Sequence, residues 1–298
     1  MPGQLTTLPT IRERVERWLF GPQPIARLAM IRIAAPLAIV GFMSSRVIHA
    51  DDWLSDAGFH VPSTIVDWRQ PLPMPAPPVW LAWTLAIALV VAGLATSLGA
   101  FTRWAAGLFA ALCAYVALAD RLEAFTVSKL APVIAFALCV TPSGAAYSID
   151  AWRKKQPVPT LVSGGCVRFF QIMLPVFYFS SGVCKASNDW LSNGFVLWTH
   201  LHDSYQTWIS WALANILPTF AWTVIQLMVL TFEAGAPLWF SLKWTRPYAV
   251  VFGVTMHLMI GLMFGPVIWF SLLMIILLVS SYAPERWLVR VLSLRKRA

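Results

Sequence analysis

Long apolar runs recur along the whole chain and are separated by shorter polar segments. A helix that crosses the hydrocarbon core of a bilayer, about 30 Å thick, needs roughly 20 mostly apolar residues. Eight runs approach this length: residues 25–48, 79–100, 104–118, 125–140, 167–183, 219–242, 248–264 and 267–281. The pattern predicts an all-α fold, a polytopic integral membrane helical bundle of about eight transmembrane helices in one domain, residues 25–282.

Basic and acidic residues alternate between the segments that join these runs. Lys and Arg lie before the first run and after the second, fourth, sixth and eighth, at Arg12, Arg14, Arg17, Arg103, Arg153, Lys154, Lys155, Lys243, Arg246 and residues 286–297. Acidic residues collect in the other segments, at Asp51, Asp52, Asp56, Asp67, Asp120, Glu123, Asp189 and Asp203, although Arg69 and Arg121 also lie there. Because basic loops stay cytoplasmic, both termini are predicted to be cytoplasmic, residues 1–24 as an N-terminal segment and 283–298 as a basic tail.

The composition excludes a water-soluble domain. The chain is 58% hydrophobic and 12% charged, and its sixteen Trp and eighteen Phe suit the aromatic belts of a membrane protein. The net charge of +9 is explained by the cytoplasmic loops, so the predicted partner is the lipid bilayer and not nucleic acid. No cleavable signal is apparent in residues 1–23, and the four cysteines form no CxxC pair, so no metal site is predicted. We expect a multi-pass protein of the inner (cytoplasmic) membrane.

Two joining segments have a character of their own. Residues 61–78 are rich in proline and are predicted to form an external loop, whereas residues 209–217 are predicted to form a short interfacial helix before the sixth run.

Ionisable residues at membrane depth are costly, so a functional role is the first hypothesis for each. Arg32 and Lys129 lie near helix ends, where their side chains can reach water, and snorkelling explains both. Glu233 lies near the middle of the sixth run and is followed by Gly235 and Pro237, where a loosened backbone could open a polar cavity, so a functional or pairing role is favoured. His257, in the seventh run, fits a structural hydrogen bond as well as a catalytic role. Lys185, where the fifth run ends, fits an interface anchor as well as a functional residue.

The segment 177–194 contains the densest group of polar residues and resembles a known family. The order of Tyr178, Ser181, Gly182, Lys185, Asp189, Trp190 and Gly194 resembles the signature of vitamin K-dependent gamma-carboxylases and of related bacterial proteins that carry the horizontally transferred transmembrane (HTTM) domain. Similar stretches occur in the same order elsewhere: residues 55–58, 142–150 and 168–171, then Glu233 and His257, then 283–287. The resemblance covers roughly the whole chain.

The resemblance implies a helical core that holds a hydroquinone, reduced vitamin K or another quinol, near its extracytoplasmic side and oxidises it with oxygen. By this resemblance Lys185 takes the place of the base, and His257 and Glu233 are its catalytic partners. The expected cofactor-binding residues are Tyr178, Ser181, Gly182, Asp189 and Trp190.

Two departures from the carboxylases set a limit to the resemblance. Carboxylases have a further histidine, needed for carboxylation, where this chain has residues 125–129, Phe-Thr-Val-Ser-Lys. They also have a large extracytoplasmic domain that holds the peptide substrate, and this sequence ends at Ala298. We therefore expect no carboxylation of peptide glutamate.

The sequence is compatible with different classes of function. The leading hypothesis is an HTTM protein that binds a quinone-like small molecule and uses it as a quinol-dependent oxidoreductase, with a carboxylase-like lyase as the related alternative. The second is a non-enzymatic membrane protein that assists the maturation, export or immunity of a protein partner. A transporter is disfavoured because the sequence shows no inverted repeat and few intramembrane charges.

Overall fold

The computed structural model describes residues 10–60, 74–119, 125–155, 157–202 and 205–294, which are mostly helical. Its helices are α1 (Ile11–Phe20), α2 (Ile25–Val47), α3 (Ala50–Trp53), α4 (Val79–Leu98), α5 (Thr102–Ala119), α6 (Thr126–Val140), α7 (Ile149–Lys154), α8 (Gly165–Ala186), α9 (Val196–His200), α10 (Trp208–Ile216), α11 (Thr219–Ala234), α12 (Ala236–Ser241), α13 (Arg246–Met263), α14 (Ile268–Tyr282) and α15 (Glu285–Leu294). A 3-10 turn, Gly265–Val267, precedes α14, and two short strands, β1 (Gln23–Pro24) and β2 (Leu161–Val162), form an antiparallel pair.

Six helices in the described part of the chain are long and apolar enough to cross a membrane: α2, α4, α5, α8, α13 and the continuous segment Gly265–Tyr282. The helix α6 is apolar but shorter, and α10 with α11 makes a pair bent by 116° that could count as a seventh span. This composition and length make the protein a multi-pass, all-α membrane protein.

The sixth predicted span, residues 219–242, is divided in the structure. Helix α11 ends at Ala234, and α12 begins at Ala236 with Pro237 in its first turn. Proline has no amide hydrogen to donate to the carbonyl four residues earlier, and its ring clashes with that carbonyl, so a continuous helix is broken here. The break places Glu233 at the end of a helix instead of in the middle of one.

Two sets of contacts bring the ends of the helical domain together. The pairing of β1 with β2 joins the segment before α2 to the segment before α8, so both helices begin at the same end of the bundle. At that end the guanidinium of Arg27 in α2 donates to the carbonyls of Ser280, Ser281 and Ala283 at distances of 3.1, 3.0 and 2.9 Å. The helical domain therefore starts and finishes on one side.

Helix α2 lies in the centre of the bundle, where it packs against α4 and α14. Its residues Leu28, Ile31, Ala35 and Ile39 recur at helical spacing and are fully buried or nearly so. The long apolar run therefore forms protein core on one side, while exposed Leu37 belongs to the surface.

Arg32 does not snorkel, so that interpretation is wrong. Its side chain is fully buried, and it donates to the carbonyl of Ser97 at 3.0 Å and to that of Tyr147 at 2.6 Å. Carbonyls at helix ends and in loops lack intrahelical donors, and they can satisfy a buried guanidinium. Lys129, in contrast, is exposed, as snorkelling predicts.

Two short helices, α10 and α15, lie in segments that were predicted to be outside the transmembrane spans. The predicted interfacial segment is helical, as α10, with Trp208 and Trp211 exposed. The predicted basic tail contains α15, which packs Leu288 and Leu292 against Ala26 of α2. The loop residues 61–73, and the predicted external markers Asp67 and Asp203, lie outside the described residues.

Candidate functional site

Lys185 forms an ion pair with Glu233 where two helices meet. Lys185 is in the last turn of α8 and Glu233 in the last turn of α11, and Nζ lies 2.6 Å from Oε1. The lysine side chain is 25% exposed and that of the glutamate 8%. A buried carboxylate needs a partner of opposite charge. The pair therefore neutralises Glu233 while leaving Lys185 within reach of a ligand.

A glycine allows α8 to approach α11 this closely. Gly182 is buried, and a Cβ atom built on it would lie 2.4 Å from the amide nitrogen of Ala234 and 2.8 Å from the carbonyl carbon of Glu233. Distances under 3.0 Å to backbone atoms leave no space for a side chain. Gly182 is thus needed for the contact that carries the ion pair.

Trp190 covers the lysine. The ammonium nitrogen of Lys185 lies 4.7 Å from the centre of the Trp190 ring, a distance at which a cation is attracted to the ring face. Trp190 belongs to the loop that follows α8, and Gln226 of α11 holds this loop in place. The Gln226 amide donates to the carbonyls of Trp190 and Asn193, both at 2.9 Å, and accepts from the amide of Leu197 at 2.9 Å.

A second polar pair lies deeper in the bundle. The hydroxyl oxygen of Tyr178 is 2.7 Å from Nε2 of His257, and both side chains are buried, with 2% exposed in each case. Tyr178 precedes Lys185 by seven residues on α8, which is about 10 Å along the helix axis. Each pair therefore has one member on α8. The partly exposed Lys185–Glu233 pair lies near the end of this helix, and the buried Tyr178–His257 pair lies further inside the bundle.

Aromatic side chains surround the inner pair. The ring of Tyr178 lies 5.2 Å from Phe232 and 6.2 Å from Phe240, and the ring of His257 lies 5.4 Å from Phe270. Phe232 is the neighbour of Glu233 in sequence, so it joins the two pairs. Such surroundings exclude water and suit a flat apolar ring.

Each pair contains one buried polar atom that has no hydrogen-bond partner among the described residues. In the part of the chain that the structure describes, Oε2 of Glu233 and Nδ1 of His257 are buried without a hydrogen-bond partner. Buried polar atoms are normally paired, and an unpaired one is a candidate contact for a ligand. A hydroxyl group on a ligand ring could donate a hydrogen bond to Oε2 of Glu233. A hydroxyl or carbonyl oxygen on the ring could accept from, or a hydroxyl could donate to, Nδ1 of His257.

An apolar groove borders this region on the outer surface of the bundle. It has a volume of about 490 Å³ and lies between α11, α12 and α13, with Phe232, Trp239 and Phe252 among its walls. Phe232 separates the groove from Tyr178. The groove thus extends to Phe232, the sequence neighbour of Glu233, and its apolar walls suit a lipophilic molecule.

The comparison with protein families decides the family of the chain. The model of the HTTM domain matches residues 20–287, which is nearly the whole sequence. The chain belongs to the HTTM domain family. No curated protein and no solved structure gave a match.

In this HTTM protein the predicted site residues are only partly brought together. Lys185, Glu233 and Trp190 form one cluster, Tyr178 and His257 form another, and Gly182 lies in the contact between helices. Ser181 is half-buried on α8, whereas Asp189 is exposed at the beginning of the loop. The assignment of these residues to catalysis and cofactor binding stays a prediction.

Two residues that shape the site were not predicted from the sequence. Gln226 fixes the loop that carries Trp190, and Phe232 lies between the two polar pairs. Gln226 gave a signal that could have been used, because an amide inside an apolar run must find hydrogen-bond partners. Phe232 gave none, because a phenylalanine in an apolar run is ordinary.

Proposed function

We propose that this HTTM protein binds a quinone-type ring between its two polar pairs and oxidises the reduced form with oxygen, with Lys185 as the base. The observation that carries the proposal is the Lys185–Glu233 pair, a partly exposed amine held against a buried carboxylate beside a cluster of aromatic rings. The family resemblance assigns the same lysine the same role.

The proton chemistry follows from the geometry of the pair. A proton can move between Nζ of Lys185 and Oε1 of Glu233 across their 2.6 Å contact. With the proton on Glu233, the amine is neutral and its lone pair can accept a proton from a ligand hydroxyl. The protein's other contributions are the exclusion of water by Phe232 and Trp190 and a hydrogen bond from His257. A bound hydroquinone would supply two electrons and two protons, which reduce dioxygen to hydrogen peroxide and leave the quinone.

The apolar groove provides a reason to prefer a lipophilic ligand. It faces the side of the bundle between α11 and α13, and its walls are almost entirely apolar. A quinone that dissolves in the bilayer can reach the site from this side without crossing water. We therefore assign the quinone as a membrane-soluble small molecule.

Peptide carboxylation does not fit the region where the carboxylases have their additional histidine. Here Phe125 stacks on Phe42 at a centroid distance of 5.6 Å and meets Phe270 edge-on at 5.9 Å. Phe270 in turn contacts His257. Among the residues that the structure describes, this cluster places phenylalanine rings next to the inner pair and no acid or base.

Quinol oxidation without carboxylation is the expected result of an activity assay. The purified protein, supplied with reduced vitamin K, oxygen, radiolabelled carbon dioxide and a glutamate-containing peptide, should consume quinol and leave the peptide unlabelled. Absorbance of the oxidised quinone and radioactivity of the isolated peptide measure the two outcomes. Label in the peptide would contradict the exclusion of carboxylation, and a quinol consumption equal to that of empty detergent would contradict the proposed oxidation.

We further propose eight membrane crossings with both termini cytoplasmic. Because α2 and α8 begin at the same end of the bundle, an even number of crossings precedes α8, which agrees with four. Because α14 ends where α2 begins, the total number of crossings is also even, which agrees with eight. The count treats α6 as a full span and α11 with α12 as a broken one. The direction comes from the basic loops.

Reporter fusions test this topology. Fusions after Lys155 and after Arg297 should give cytoplasmic signals, and fusions near Asp67 and Asp203 should give extracytoplasmic ones, because the charge asymmetry of the loops orients the helices. An extracytoplasmic signal at Lys155 would rule out the eight-span arrangement and the placement of Lys185 near the outer face.

A further inference from the structure

A cleft with basic side chains lies at the end of the bundle where the helical domain starts and finishes. Its volume is about 580 Å³, and it is formed by the beginning of α5, the end of α6 and the helix α7. Thr102, Arg103, Thr141, Asp150 and Lys154 are among the residues that line it. The cleft lies far along the chain from the Lys185–Glu233 pair and shares no residue with it.

The carboxylate in this lining, Asp150, accepts hydrogen bonds from residues at the beginning of α5. Asp150 accepts hydrogen bonds from the amides of Phe101 and Thr102, at 2.9 and 2.7 Å, and from the hydroxyl of Thr102 at 2.7 Å. Burial acts to raise the pKa of Asp150, but these hydrogen bonds and the charge of Lys154 together outweigh it and hold the pKa below its ordinary value. The beginning of α5 is therefore satisfied by the protein itself and is not left for an external anion.

The lining has two cations, Arg103 and Lys154, and one carboxylate, Asp150, so its net charge is positive. Arg103 and Lys154 are exposed, and neither forms a salt bridge within residues 10–60, 74–119, 125–155, 157–202 and 205–294. Arg153 adds a third cation nearby, with its guanidinium 5.2 Å from the centre of the Phe101 ring. A group of cations around a cleft between membrane helices has the character of a site for anionic lipid headgroups.

Two exposed tryptophans are sequence neighbours of the cleft residues Arg103 and Ala151, although neither lines the cleft itself. Trp104 follows Arg103 and is 82% exposed, and Trp152 precedes Arg153 and is 79% exposed. Exposed tryptophan next to a transmembrane helix lies at the level of the lipid headgroups, where its ring meets the acyl chains and its N–H meets water. The start of α5 and the helix α7, which carry these tryptophans and form part of the cleft, are therefore expected near the depth of the lipid phosphates.

We propose that this cleft binds the headgroup of an anionic phospholipid, with Arg103 and Lys154 on the phosphate and Trp104 and Trp152 against the lipid. Thr141 also lines the cleft; its hydroxyl donates to the carbonyl of Ala137 at 2.7 Å, and its oxygen is left to accept from a hydroxyl of the glycerol part. The bound lipid fixes the ends of α5 and α6 relative to α7.

The test compares lipids that differ only in the headgroup. The protein is placed in nanodiscs of pure phosphatidylcholine or of phosphatidylcholine with phosphatidylglycerol, and thermal stability and retained lipid are measured, the latter by native mass spectrometry. The wild type should be more heat-stable with phosphatidylglycerol and should retain it. The double substitution Arg103→Gln with Lys154→Gln should weaken retention on the order of tenfold and remove most of the thermal shift.

A matched control removes the same charge elsewhere on the same face. Arg12→Gln with Arg17→Gln changes two exposed arginines of α1 and should keep the wild-type preference for phosphatidylglycerol. Equal loss in both double variants would overturn the cleft as a specific site. Glycerol phosphate added to protein in phosphatidylcholine nanodiscs should give no shift, and a shift equal to that of the lipid would overturn the assignment to a phospholipid.

Discussion

Replacing Lys185 with arginine should abolish quinol-dependent activity while the protein still folds. The guanidinium keeps its proton in proteins, so it can pair with Glu233 and lie over Trp190, as the lysine does, but it cannot accept a proton from a ligand. The loss of a general base costs about 10²- to 10⁴-fold in rate. Quinol oxidation and thermal stability in detergent, measured on the same preparation, separate the two effects.

Lys185→Ala and Lys129→Arg complete this experiment. The alanine variant should lose activity and also stability, since it leaves the Glu233 carboxylate buried and unpaired, a change that costs about 3–5 kcal/mol when both partners are fully buried and less here, where Lys185 is partly exposed. Lys129 is exposed on α6, so Lys129→Arg should be silent in both assays. A fully active Lys185→Arg protein would end the assignment of Lys185 as the base and leave it as an interface anchor.

Gly182→Ala should have the second large effect, although it adds a single methyl group. The new Cβ would meet backbone atoms of Glu233 and Ala234, which cannot move away like the end of a flexible side chain. Overpacking of this kind costs about 1–3 kcal/mol or more, which exceeds the roughly 1 kcal/mol that alanine gains over glycine in a helix. We expect a lower thermal midpoint, and the separation of α8 from α11 should also disrupt the Lys185–Glu233 pair and the activity.

The same helix offers the control. Gly165, in the first turn of α8, has its nearest neighbours at 3.4 Å from a built Cβ, an ordinary contact distance. Gly165→Ala should therefore be neutral or slightly stabilising. Wild-type stability and activity in Gly182→Ala would show that α8 and α11 do not approach each other as described.

The membrane character of the fold could be predicted from the sequence because it depends on local composition. An apolar run of sufficient length has few alternatives to a membrane helix. Gly235 and Pro237 indicated a loosened backbone after Glu233, but residues 219–242 were still predicted as one span, because hydropathy is uniform across the break and does not report helix geometry. The burial of Arg32 was also missed, since its partners, the carbonyls of Ser97 and Tyr147, are distant in sequence.

The candidate site was predictable as a set of residues and not as an arrangement. Lys185 and Glu233 are 48 residues apart, and neither residue type nor spacing indicates that they pair. The same holds for Tyr178 and His257, which are 79 residues apart. Gln226 was missed because only ionisable residues were considered at membrane depth, although a buried amide also requires partners.

The most direct test is to look for the ligand itself. The protein, purified in mild detergent from membranes that contain quinones, is analysed by native mass spectrometry and by extraction with organic solvent followed by quinone detection. We predict a quinone that co-purifies at close to one per protein chain, and that exchanges for added reduced vitamin K. Protein that carries no quinone and takes up none when it is supplied would contradict the proposed function and would favour a non-enzymatic role in assisting a protein partner.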